Sequence, residues 1–124
     1  MISYYNYKNL VVWQKAMALV ALIYQISANF PDDEKFGLIS QIRRAAVSIP
    51  SNIAEGYGRE NDKEFNQFLK IALGSISEVE TQILIAEMLG FCNSETQEDI
   101  SSKLNEIKNM VHALRNKIRD NCKA

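Results

Sequence analysis

Five basic residues near the end of the chain have a spacing that could do chemistry. Lys108, His112, Arg115, Arg119 and Lys123 recur at steps of four and three, which on a helix of 3.6 residues per turn puts them on one face. No acid falls among them, and Glu106 and Asp120 point elsewhere on the same turns. Such a ridge offers ammonium, guanidinium and imidazole donors in a row, the set that contacts phosphate oxygens of RNA or DNA without reading sequence. Copies of the ridge in a homo-oligomer would add avidity. The same spacing also fits an ordinary solvated helix face, and the sequence leaves both readings standing.

A second group of polar residues lies between Ser40 and Arg59. Arg44 and Glu55 share the polar side of this stretch with Ser48 and Ser51. They are too far apart along one helix to pair directly, so each faces an adjacent helix or subunit as part of a polar network rather than a catalytic pair. Arg43 is the single charge inside an otherwise apolar arc. Either it snorkels to the surface with its stem on Val47, or it reaches an acid on a neighbouring subunit.

The common enzyme constellations find no support. His112 is the only histidine, and no histidine or cysteine cluster has metal-ligand spacing. Glu78 and Glu80 point to different helix faces, and Gly56-Tyr57-Gly58 follows a helix, whereas phosphate loops follow a strand. A helix connecting Cys92 and Cys122 would separate them by about 40 Å through its rise, far beyond the ~7 Å that a disulfide spans between Cα atoms. They read as free thiols of a reducing compartment. The expectation is a chain with no catalytic residues, no metal and no cofactor.

These residues need elements to position them, and the composition restricts the choice. The 124 residues suit one domain with a single core. Two prolines and five glycines supply little turn material, which disfavours a sandwich or barrel. A net charge of −1 means that any attraction for nucleic acid must be local. No apolar run approaches the ~20 residues of a bilayer span. The N-terminus lacks the pattern of a signal peptide, so the expectation is a cytoplasmic protein without a membrane partner.

Hydrophobic periodicity predicts four helices over about 10–30, 38–58, 62–89 and 94–121. On the first, Trp13, Ala16, Val20, Ile23, Tyr24 and Ser27 centre an apolar arc of about 220°, wider than the ~100° that a bundle core requires. On the second, Ile39, Ile42, Ala46, Ile49 and Ile53 form a core stripe, flanked by a second strip of Val47, Pro50, Ala54 and Tyr57. Because the phase is unchanged across Pro50, one kinked helix is expected, with Ser48 and Ser51 bonding local backbone. Gly56 and Gly58 are expected to end it.

The third stripe, Phe65, Leu69, Ala72, Ile76, Val79, Ile83 and Ala86, alternates steps of four and three. Asn61 with Glu64 predicts its start, Gly90 and Phe91 a Schellman stop after it, and Ser94 with Gln97 a capping box for the fourth helix. Gly74 suggests a close helix neighbour. Ile100, Leu104, Ile107, Val111, Leu114 and Ile118 make a narrow stripe on that last helix. The fold class is therefore all-α, an antiparallel up-down-up-down four-helix bundle forming one domain over 1–124. The surplus apolar surface predicts self-association through Trp13, Met17, Val47, Pro50, Ala54 and Tyr57, with Arg43, Arg44 and Glu55 beside it.

Three stretches carry a resemblance: Tyr7-Lys8-Asn9-Leu10-Val11-Val12-Trp13-Gln14-Lys15-Ala16, the whole of Ser40–Arg59, and Glu64-Phe65 through Gly74-Ser75 to Glu78. They resemble the four-helix-bundle family of proteins encoded in intervening sequences of 23S ribosomal RNA genes, often misnamed ribosomal proteins. The chain is also similar to the accessory variability proteins of diversity-generating retroelements. The resemblance implies a ring-like homopentamer. In the retroelement relatives it implies a positive surface that binds nucleic acid and the reverse transcriptase. It implies no catalytic activity. The competing expectation is a structural or protein-partner adaptor without affinity for nucleic acid.

Overall fold

A computed structural model describes residues 4–123, with side chains through Asp120. Four helices follow one another: α1 (Val11–Ser27), α2 (Leu38–Gly58), α3 (Asp62–Met88) and α4 (Ser94–Lys123), with short 3-10 turns at Tyr7–Asn9 and Asp32–Glu34. Connections this short force each helix to run antiparallel to the one before it. Each helix packs on two neighbours, most extensively α2 on α3 and least α1 on α4. Among the described residues there is no strand.

The long stripes become the core. All seven α3 stripe residues are buried, and so are Ile42, Ala46, Ile49 and Ile53 of α2. On α4, Ile100, Leu104, Ile107, Val111 and Ile118 are buried while Leu114 is half-covered. The α1 face is rotated from the expected one. Val12, Ala16, Leu19, Ile23 and Ser27 point inward, whereas Trp13 and Val20 are half-buried and Met17 and Tyr24 are exposed. An arc wider than the core can fill does not define its own centre; packing against α2 and α4 does.

The second α2 strip divides the same way. Pro50 and Tyr57 are buried, Ala54 is half-buried and Val47 is exposed. Tyr57 belongs to the core of its own protomer, which corrects its assignment to an outward surface. Tyr4 and Phe65 meet its ring edge-on at 5.1 and 5.6 Å, and its hydroxyl accepts the Tyr5 backbone N–H at 3.1 Å. The N-terminal arm thus docks by its tyrosines, Tyr4 there and Tyr7 against Trp13 at 5.3 Å. Met1 to Ser3 of that arm lie outside the described residues.

Helix ends follow local chemistry. α1 stops at Ser27, three residues short of the expected Phe30, because Asn29 and Phe30 donate to the carbonyls of Ile26 and Ser27 in a tighter turn before Pro31. α2 begins with the Glu34 carboxylate accepting the Leu38 N–H at 3.1 Å, a favourable anion at a helix N-terminus. It runs through Pro50 in one piece. Ser48 does not bond backbone; its hydroxyl meets the Ser75 hydroxyl of α3 at 2.8 Å, and Asn52 donates to the Ser48 carbonyl at 2.7 Å.

Two glycines depart from the roles expected of them, while α2 ends at Gly58 as expected. Gly56 is buried against α3, where a Cβ would sit 2.5 Å from Cβ of Phe68. It is a close-approach glycine rather than a cap, and Glu60 supplies the left-handed residue of the turn at φ 53°. Gly74 has nothing within 4 Å of a Cβ position, so no helix of its own protomer demands it. At the end of α3, Phe91 donates to the Ala86 carbonyl at 2.8 Å and Gly90 to that of Glu87 at 3.0 Å, with Gly90 at φ 80°. That is the expected Schellman stop. Asn61 caps α3 by accepting the Glu64 N–H at 3.0 Å. The α4 cap is Asn93, accepting from Thr96 at 2.8 Å, one residue before the expected Ser94.

Candidate nucleic-acid interface and assembly groove

Antiparallel pairing lays the first turns of α3 along the last turns of α4, and the basic residues gather there. A cleft of about 410 Å³ opens between the two helices over the buried side chain of Ile118. His112, Arg115 and Arg119 line it from α4, joined by Asn116, while Lys63 and Asn66 line it from α3. Lys108 is exposed on α4 outside the cleft. The Lys123 side chain lies outside the described residues.

Two arginines of the cleft are held in place. Arg115 Nε donates to Asn66 Oδ1 at 3.0 Å, and an Arg119 terminal nitrogen donates to Asn116 Oδ1 at 2.8 Å. A guanidinium has only donors, so each carboxamide must turn its oxygen to the arginine and its NH2 away. Nearby acids have other partners. Asp62 accepts the Tyr4 hydroxyl, and Glu64 lies 3.8 Å from Arg59. Glu55 pairs with Arg59 at 3.3 Å, one turn along α2, which places it in an exposed ion pair beside the cleft end of the bundle. Sequence reasoning finds the α4 half of the cleft and misses Lys63 and Asn66. The signal is the antiparallel pairing itself, which sets the start of α3 opposite the end of α4.

The opposite side of the bundle carries a different surface. Trp13, Met17 and Val20 of α1 and Val47, Pro50 and Ala54 of α2 line a groove of about 360 Å³. Met17 is 45% and Val47 39% exposed, so this surface is uncovered within the protomer. Arg43 lies one turn before Val47 on α2 and is held by α1. Its Nε donates to Ser27 Oγ at 2.8 Å, its NH2 donates to the Tyr24 carbonyl at 3.2 Å, and its guanidinium lies 4.5 Å from the Tyr24 ring centroid. A cation at the last turn of α1 satisfies a terminal carbonyl and complements the helix dipole. Arg43 therefore ties α2 to the end of α1 within the protomer. Arg44 turns the other way, into a polar groove between α2 and α3 with Gln41, Ser48, Glu78 and Gln82.

Among the described residues, no group of three histidine, cysteine or acidic side chains could hold a metal ion. Among the described residues no helix is long and apolar enough to cross a membrane. Cys92 is half-buried, and burial, followed by the nearby Glu87 carboxylate, raises its thiol above the ordinary value. A raised thiol carries less thiolate and is a weaker nucleophile.

The family model of the 23S rRNA-intervening sequence protein matches residues 8–113. The chain belongs to this family. It is similar to a protein of unknown function from the S23 ribosomal protein family of Bacteroides thetaiotaomicron, solved as a crystal structure. The two are 25% identical with a TM-score of 0.76, over 85% of this chain and 98% of that one. No curated protein matches the chain. The two surfaces stand differently towards the 23S rRNA-intervening sequence match. The apolar groove residues from Trp13 to Ala54 lie inside it, as does His112, while Arg115, Asn116 and Arg119 lie past its end at residue 113.

Proposed function

We propose that the chain is a non-enzymatic, homo-oligomeric assembly module, pentameric as the family resemblance suggests, that binds RNA or DNA weakly and without sequence specificity. The observation that carries this reading is the α3/α4 cleft, which gathers Lys63, His112, Arg115 and Arg119 with no acid in its lining, in a chain whose net charge is only −1. Phosphate contacts need no base-reading geometry, and several copies in one oligomer raise a weak affinity by avidity. The apolar α1/α2 groove supports the assembly half of the proposal, since an exposed apolar strip costs free energy until it is covered. In retroelement-like relatives a reverse transcriptase would be the protein partner of such a module, and that role is open to this chain too. The cytoplasm is the compartment in which it would meet nucleic acid.

Gel-shift titrations of single-stranded RNA over a salt series test the binding. The charge-reversed variant Arg115→Glu/Arg119→Glu is expected to bind more weakly, with its salt slope reduced by about 0.7 for each phosphate that is no longer neutralised. Unchanged affinity and slope would overturn the reading. The second reading, a protein-partner adaptor without affinity for nucleic acid, draws on the same apolar groove, and it is favoured if wild-type protein shifts no RNA or DNA at low salt.

A further inference from the structure

The α3/α4 cleft has a property that a mere basic ridge lacks: its lining is rich in hydrogen-bond donors from two helices and holds no carboxylate. Asn66 and Asn116 have each turned Oδ1 to an arginine, so the NH2 of each is left to find another acceptor. Lys63 contributes an ammonium, and Arg115 and Arg119 keep the donors not used on the carboxamides. His112 stands at the same lining, and no carboxylate does. The part-buried bond to Asn66 on α3 holds the Arg115 guanidinium before any ligand arrives, which lowers the ordering cost of binding. The volume of about 410 Å³ falls in the range of about 300–1,000 Å³ that holds compact ligands.

We propose that this cleft recognises a phosphate monoester, supplied by the phosphorylated end of a nucleic-acid strand, in preference to the internal diesters of the strand. The inference rests on the nucleic-acid reading above and narrows it. A diester carries one negative charge and two terminal oxygens. A monoester carries close to two charges near neutral pH and three terminal oxygens, which matches a lining of Lys63, Arg115 and Arg119 without a carboxylate far better. The buried Ile118 floor and the two helix walls favour a compact end group over a strand passing through.

The test compares four probes on the intact chain by fluorescence anisotropy: a single-stranded RNA ten-mer with a 5′-phosphate, the same strand with a 3′-phosphate, the same strand with hydroxyl ends, and inorganic phosphate as competitor. At least one phosphorylated strand is expected to bind at least about tenfold more tightly than the hydroxyl-ended strand, the worth of one charge-assisted hydrogen bond. Lys63→Ala, an exposed position that should leave the fold intact, is expected to erase that difference, as is Asn66→Asp, which puts a carboxylate in the lining. Equal binding of all three strands overturns the end-recognition inference and leaves the nucleic-acid reading standing. Binding of inorganic phosphate, read by isothermal titration calorimetry, with no binding of any strand overturns the strand end as the source of the monoester. Failure of every probe overturns both.

Discussion

The α1/α2 groove and the α3/α4 cleft are similar in size and lie on different seams of one bundle, yet they are built on opposite principles. The groove is lined mainly by Trp13, Met17, Val20, Val47, Pro50 and Ala54, and Arg43, one turn before Val47 on α2, is turned onto Ser27 and Tyr24. The cleft keeps its cations outward and steadies them with carboxamides. An arginine bonded to a helix end and stacked on a ring of that helix stabilises the fold; one held by a single side-chain acceptor keeps most of its donors to offer. Counting charges does not separate these cases. The partner of each guanidinium does.

The contrast can be broken at several points. The largest effect is expected at the seam on which both regions depend, where α2 and α3 approach at Gly56. Gly56→Leu must displace Phe68 and should cost about 3 kcal/mol, the upper end of overpacking, read as a lowered midpoint of urea unfolding. A variant as stable as wild type would mean that α2 and α3 do not touch there. Next comes the groove. Met17→Glu/Val47→Glu places two charges on exposed positions and should abolish self-association in size-exclusion chromatography with light scattering, while leaving the helical circular dichroism unchanged. A persistent oligomer would move the assembly surface elsewhere.

Smaller effects sharpen the comparison. Arg43→Lys removes the planar fork that reaches both Ser27 and Tyr24, and is expected to cost about 1–2 kcal/mol of stability without altering nucleic-acid affinity. Weakened binding instead would place Arg43 with the cleft residues. Smallest is Gly74→Ala. With open space around its Cβ position, alanine should stabilise the protomer by about 0.5–1 kcal/mol through helix propensity alone. Stabilisation of the monomer accompanied by weakened assembly would show that a second copy is the close neighbour that Gly74 admits.

Much of the fold is legible in the sequence because regular stripes leave little choice. Phe65 to Ala86 can bury only one face, and the same is true of Ile100 to Ile118. Where the apolar surface is too wide, periodicity loses its power: α1 turns toward Val12 and Leu19, and Tyr57 goes into the core. The glycines resist reading for a related reason. Whether a glycine is a cap or a contact depends on what stands opposite it, and for Gly56 that is Phe68 on another helix. The basic site is half legible. His112, Arg115 and Arg119 follow one helical period, but Lys63 and Asn66 join them only through tertiary pairing, and no local pattern encodes that Asn66 accepts from Arg115.

Sedimentation velocity with fluorescently labelled single-stranded RNA tests the division of labour between the two surfaces most directly. The RNA is expected to sediment with a wild-type oligomer about five times the protomer mass. With Met17→Glu/Val47→Glu it is expected to shift to a monomer-sized species bound more weakly, as the loss of avidity requires. Free RNA sedimenting apart from an intact wild-type oligomer, or RNA bound equally well by the dissociated variant, would contradict the account.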